Sequence, residues 1–510
     1  MKNIKYIVLS ILTLGFISCE NDPLDELRDR NNNEEVTVVF PDLTAGTADF
    51  SNYVALGASF TAGFTDGGLF RAGQENSFPL LLSEQFAMAG GGAFTQPLMD
   101  DNTGGILAGG TPATGYRLVF GGAGPVPLDV FLTSQGASVP PITTEAGNNI
   151  GSDFNNFGIP GAKSFHLVTP GYAAFNPYYT RIASSPTSTV LQDALAQNPT
   201  FFTLSEIGGN DILQYATSGG TGVDQTGNID PSTYGSNDIT DPNVFAQAFS
   251  TMVTALTQNG AKGVATTVPD ITSLSHFTTV PYNPVPLDAA TANALNQGYA
   301  AYNGGLQQAL AALEGSGLFT AEEVARRTIN FFEGEGNAMV IIDESLTDLG
   351  AINPAFAGIP QYRQATAEDL FVLPLSSLIP QGFGTQIPLE DRWSLTPEEQ
   401  TAIANATAAY NATIIAVADA NPNLAVADLR AVLEQASVSG YPYDNYTLST
   451  ELVFGGLVSL DGIHLTSRGY GLMAREFLVA IDNAFGSNFI ESGSTPEASS
   501  LPTNYAASLQ

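Results

Sequence analysis

Four short apolar runs, each closed by turn residues, punctuate this chain. Asn52-Tyr53-Val54-Ala55-Leu56 stops at Gly57, and the Phe-rich run 199–204 stops just before Gly208-Gly209. The run 263–268 stops at Pro269-Asp270, and Leu424-Ala425-Val426-Ala427 stops at Asp428. Apolar runs this short, bounded by turn signals, predict buried strands. Helical stretches lie between them. The clearest is 396–420, which is Ala-rich and opens on Pro-Glu-Glu, a helix start signal. Strands alternating with helices predict βαβ units and a parallel sheet. In such sheets, sites form at the carboxyl ends of the strands.

The pattern contains one internal echo. Ala301-Tyr302-Asn303 lies in a helical stretch, with an apolar run ending at Asp343 further on. Ala409-Tyr410-Asn411 lies in another, followed by the run ending at Asp428. Two copies do not make a repeat array. One can belong to the sheet and the other to an insertion, and the pattern does not say which.

The ends of the chain read differently from its body. Lys2 and Lys5 precede an apolar run over 7–17. A membrane span needs ~20 apolar residues, so this run reads as a secretory signal. Cys19 follows Phe16-Ile17-Ser18 and is the sole cysteine. The segment resembles a bacterial lipobox, with Phe16 where an aliphatic residue is usual; an ordinary cleaved signal is the alternative. The expectation is a lipoprotein signal over 1–19 ending at a lipidated Cys19, then a flexible acidic tether over 20–50. The protein is then extracytoplasmic, held by a lipid anchor at the outer membrane of a Gram-negative bacterium. The main domain is expected over 51–485, with Gly-, Pro- and Thr-rich or mixed insertions near 65–150 and 276–396. The Ser-, Pro- and Ala-rich tail over 486–510 is expected to be disordered.

Composition narrows the function classes. The 510 residues carry 50 acidic against 16 basic side chains, a formal charge of -34. A body this negative is repelled by nucleic acid and by anionic surfaces, so no nucleic-acid partner is expected. With one cysteine there is no internal disulfide, and the core must hold the fold. The 52 glycines and 30 prolines predict long, numerous loops.

Four polar segments fall at or near the predicted strand ends. They are Gly57-Ala58-Ser59-Phe60-Thr61, the block from Asn156 through Gly158 to Gly161-Ala162, Gly208-Gly209-Asn210-Asp211, and Asp461-Gly462-Ile463-His464. These residue types suit ester hydrolysis. A serine hydroxyl is a poor nucleophile until a base takes its proton, and histidine is the natural base near neutral pH. An Asp three residues before a His can turn back and hold the imidazole in its useful tautomer. The backbone N–H of Ser59, that of Gly161 and the amide of Asn210 could receive the oxyanion of the tetrahedral intermediate.

In this order, the four blocks resemble those of the SGNH, or GDSL-type, hydrolase family. The resemblance implies Ser59 as nucleophile, His464 as base and Asp461 as its acid. It also implies Gly161 (with Gly158 as second choice) and Asn210 as oxyanion-hole residues. It further implies a three-layer α/β/α domain with a flavodoxin-like parallel sheet. The strand ending at Pro269-Asp270 and the helix with Tyr410-Asn411 also look like family features. One departure is Ala58, which stands where the family usually has Asp. That leaves open what supports the nucleophile loop. The long separation of Asn210 from Asp461 implies large insertions.

Each block alone has a plainer reading: a common turn at Ser59, a glycine-rich loop at 156–162, an N-cap at Asp461. Asp270, Asp343 and Asp428 read as strand-end or cap residues, and Asp211 as support for the loop of Asn210. His166 and His276 lack metal-ligand spacing and a Cys partner, so no metal and no cofactor is expected. The expected partner is an ester: a lipid, a short acyl ester or an acetylated glycan. A carbohydrate O-acetyl esterase, or a binding lipoprotein on a hydrolase scaffold, are the alternatives. Cleft shape separates the first two, since acyl chains want a deep apolar slot and glycans an open aromatic one. Oligomeric state is not legible.

Overall fold

The computed structural model of the chain describes residues 40–313 and 315–509. The expected signal, Cys19 and most of the tether lie outside them. Residues from Leu43 onward form one compact unit.

Its elements, in chain order, begin with β1 (Tyr53–Gly57), α1 (Ser59–Ala62), α2 (Phe78–Met88), β2 (Asn156–Gly158), α3 (Val190–Ala196), β3 (Phe201–Ser205) and α4 (Asn210–Thr217). There follow α5 (Pro242–Thr257), β4 (Lys262–Thr266), α6 (Ala289–Ala312), α7 (Pro397–Asp419), β5 (Leu424–Ala427), α8 (Leu429–Val438) and α9 (Ser467–Phe485). The five strands make one sheet in the order β5-β4-β3-β1-β2, and every pair is parallel. The molecule is therefore mixed α/β around an all-parallel core, as the alternating pattern predicts.

Every residue of β1 and β3 is buried. Neighbouring side chains in a strand point to opposite faces, so burial of both Phe201 and Phe202 requires cover on both sides. On one face Phe201 meets Phe86 of α2 and Phe485 of α9. The rings of Phe78 and Phe477 stack at 5.0 Å and join α2 to α9. Elsewhere Phe245 of α5 stacks on Tyr410 of α7 at 4.3 Å. Helix α7 starts with a capping box between Thr396 and Glu399. By length and composition it could cross a membrane; here Ile403, Ala406, Tyr410 and Ile414 are buried along it.

The echo resolves. Its second copy is α7 and β5, which complete the sheet. Its first copy is α6 and a strand at Val340–Ile342, which pairs antiparallel with Tyr362–Gln364 and bridges to Leu389, both inside the insertion. That insertion has small apolar cores of its own, one around Leu295, Tyr299 and Phe331.

Two expectations need correction. The region 65–150 is not wholly an insertion. Its α2 carries Phe78, Leu82 and Phe86 into the main core and serves as the crossover between β1 and β2. The tail over 486–510 is ordered as far as it is described. Phe489, Ala498 and Leu501 are buried, and Tyr443 Oη donates to Pro496 O at 2.6 Å. Buried Arg117 donates from Nη2 to Ala506 O at 2.8 Å and Leu509 O at 3.1 Å. Small polar residues suggested disorder there, but sparse apolar anchors and one guanidinium hold the segment.

Candidate active site

The first block forms a tight turn between β1 and α1, with Ser59 at the first helical position and only 5% exposed. Two glycines make room for it. A Cβ on Gly57 would lie 2.1 Å from Thr61 Oγ1, and one on Gly158 would lie 2.2 Å from Ala62 N. Asn156 Nδ2 donates to Thr61 O at 2.8 Å and secures the turn to β2. The Asn156–Gly158 segment, expected as a loop after a strand, is itself the edge strand β2.

The last block folds back on itself. Asp461 Oδ2 lies 2.7 Å from His464 Nδ1. Asp461 Oδ1 accepts the backbone N–H groups of Ile463 at 2.8 Å and His464 at 2.9 Å. Burial pushes the Asp461 carboxyl up, but the neighbouring His464 and these N–H donors outweigh it and hold the group well below the usual range. An ionised Asp461 can only accept, so Nδ1 carries the imidazole proton and Nε2 keeps its lone pair for use as a base.

Distant loops clamp this turn. Gly67 N donates to Asp461 Oδ2 at 2.9 Å, and Asp66 Oδ1 accepts from Leu460 N at 3.1 Å. His276 N donates to Gly462 O at 3.0 Å, and His276 Nδ1 lies 3.1 Å from Asp461 O. His276 is thus a buried structural residue beside Asp461. His166 stacks on Tyr172 at 4.4 Å, and its pKa falls to about 4 through burial and nearby Lys163.

The second and third blocks are tied together. Asn210 Nδ2 donates to Ala162 O at 2.9 Å, and Gln214 Nε2 donates to Gly161 O at 3.2 Å. Asp211 supports them as expected, accepting from Ser164 N at 2.8 Å and Ser164 Oγ at 2.7 Å. Gly161 has φ 78°, and a Cβ there would find its nearest neighbour 3.9 Å away. Conformation rather than crowding therefore favours glycine at this position. Among the described residues, the backbone N–H groups of Ser59 and Gly161 make no hydrogen bond.

Ser59 and Asn210 line one cleft, and Ile463, next to His464, forms part of its wall. The Phe60 ring lies 5.7 Å from that of His464 and the Phe64 ring 4.5 Å from it. Ser59 makes no hydrogen bond to His464 in this structure. Its Oγ donates instead to Glu206 Oε2 at 3.5 Å.

Glu206 escaped the sequence reading. It follows β3 directly and adopts φ 55°, a left-handed conformation uncommon outside glycine and often found at functional sites. Its Oε1 accepts from Ala58 N at 2.9 Å and Thr61 N at 3.0 Å. Burial pushes its pKa up to about 7, against the pull of these donors and of His464. The available signal was position: a carboxylate at a strand's carboxyl end, four residues before Asn210.

Away from Ser59, Glu206 and Asn210 the cleft is apolar, walled by Leu213, Val268, Leu274, Val432, Leu465 and Met473 among others. The described residues include one group with metal-ligand spacing. Carboxylate oxygens of Glu344, Asp391 and Glu399 lie within 4.8 Å of one another. Burial, then neighbouring acids, push Asp391 up to about 7. Burial likewise carries Glu399 up to about 8. Asp270 and Asp428 are caps, accepting from Thr272 N and Ala431 N, and Asp343 pairs with Arg363 at 2.5 Å.

No protein-family model, no curated protein and no solved structure matches the chain.

Proposed function

We propose that this protein is a serine hydrolase of carboxylic esters with Ser59 as nucleophile, His464 as base and Asp461 as its partner. The observation that carries the reading is the Asp461–His464 pair, 2.7 Å apart and edge-on to Phe60, the residue after Ser59. The strand order supports it. Counted from β2, the order is 2-1-3-4-5, the flavodoxin-like arrangement, whose site lies where the order reverses, between β1 and β3. Ser59 follows β1 and Asn210 follows β3. This agrees with the resemblance to SGNH hydrolases and with their three-layer fold.

In the proposed mechanism, Ser59 Oγ turns from Glu206 toward His464 Nε2, loses its proton there and attacks the ester carbonyl. The oxyanion is received by the N–H groups of Ser59 and Gly161 and by the second hydrogen of Asn210 Nδ2. His464 then returns the proton to the leaving alcohol. Water hydrolyses the acyl-enzyme by the same route.

The apolar wall favours an acyl chain over a sugar in the cleft. The open groove lined by Tyr299, Tyr302 and Tyr362 belongs to the insertion and shares no lining residue with Ser59. The substrate is then an acyl ester, hydrolysed outside the cytoplasm by a protein anchored through Cys19. Labelling with a fluorophosphonate tests the reading, since the reagent forms a phosphonyl–serine bond and releases fluoride. A mass increment on the peptide containing Ser59 is expected. Labelling of another serine, or of none, would contradict it.

A further inference from the structure

Helix α1 starts without a side-chain cap. Ala58 holds the N-cap position and its methyl group accepts nothing. The first N–H groups of a helix have no partner within it, so this turn, which aims the nucleophile, needs an acceptor from elsewhere. We propose that Glu206 is the positioning residue of the nucleophile turn, supplying from the neighbouring strand the acceptor that position 58 cannot. The inference rests on the reading of Ser59 as nucleophile.

The geometry is specific. Glu206 Oε1 receives the N–H groups of Ala58 at 2.9 Å and Thr61 at 3.0 Å, which bracket Ser59. Oε2 faces Ser59 Oγ at 3.5 Å. The Glu206 backbone is anchored on both sides: its N–H donates to Thr266 Oγ1 at 2.9 Å, and its carbonyl accepts from Gly209 N at 2.9 Å. The left-handed φ of 55° is retained at a half-buried position, which tight local anchoring permits. One residue thus links the turn of Ser59 to the loop of Asn210. The role needs an oxygen acceptor, which either a carboxylate or an amide provides.

The test compares Glu206→Gln, Glu206→Ala and Glu206→Met with the wild type. Readouts are kcat and KM on p-nitrophenyl butyrate, and hydrogen exchange in the peptide spanning 58–61. The Gln variant keeps the acceptor and is expected to stay within a few-fold of wild-type kcat. The Ala and Met variants are expected to lose ~10²-fold in kcat with KM little changed, together with amide protection at Ala58 and Thr61. Met keeps the bulk should Ala fail to fold. Wild-type kcat and protection in both Ala and Met would overturn the proposal, as would a Gln variant as impaired as they are. An inactive wild type would count against the Ser59 reading alone. Exchange at Ala58 and Thr61 would still decide the role of Glu206.

Discussion

His464 Nδ1 lies 2.7 Å from Asp461 Oδ2, and the Asp461 carboxylate is itself fixed by N–H groups from Gly67, Ile463 and His464. The acid can neither rotate away nor take the proton from Nδ1 without losing several bonds. Asp461→Asn replaces an acceptor with an amide that can present a donor to Nδ1, which favours the wrong tautomer. The expected result is a kcat loss of ~10³-fold or more with KM nearly unchanged. Steady-state kinetics on a short ester measures it.

The cleft predicts chain-length preference. Val432 and Met473 form part of its apolar wall. Met473→Trp fills the slot, so activity on p-nitrophenyl octanoate should fall ~10-fold or more while acetate turnover holds. Equal loss on both esters would move the acyl chain out of this cleft.

Stability should depend on pH through buried carboxyls. Glu399, with a pKa raised to about 8 chiefly by burial, binds its proton in the folded state where the unfolded chain has released it. The folded state therefore holds more protons between about pH 4.5 and pH 8, and stability falls as pH rises through that window. Glu399→Gln removes this dependence. Its Tm relative to wild type should rise from pH 5 to pH 8, as followed by circular dichroism; a constant difference would contradict the assignment.

The last residues should be structural. Arg117 is fully buried, with its guanidinium on the carbonyls of Tyr505, Ala506 and Leu509. Arg117→Ala leaves these acceptors unpaired and opens a void. A loss of about 3 kcal/mol in urea unfolding is expected.

Much of this architecture is legible in the sequence because parallel strands buried on both faces are continuous apolar runs. β1, β3, β4 and β5 were each visible in that way. β2 was not, because Asn156-Phe157-Gly158 is short and two of its three residues serve the turn of Ser59 rather than the core. The Asp461–His464 pair was legible because its residues are three apart and pair locally. Glu206 was not, because its role is defined across the sheet by backbone N–H groups at Ala58 and Thr61, which leave no pattern in the chain. The tail was misread because composition reports apolar content and not the carbonyl acceptors that Arg117 requires.

The most direct measurement is hydrolysis of p-nitrophenyl acetate, butyrate and octanoate by the form lacking residues 1–19, beside Ser59→Ala and His464→Ala. The account predicts turnover by wild type and a loss of ~10³-fold or more in each variant. Ester turnover that survives either substitution would contradict the assignment of Ser59 and His464.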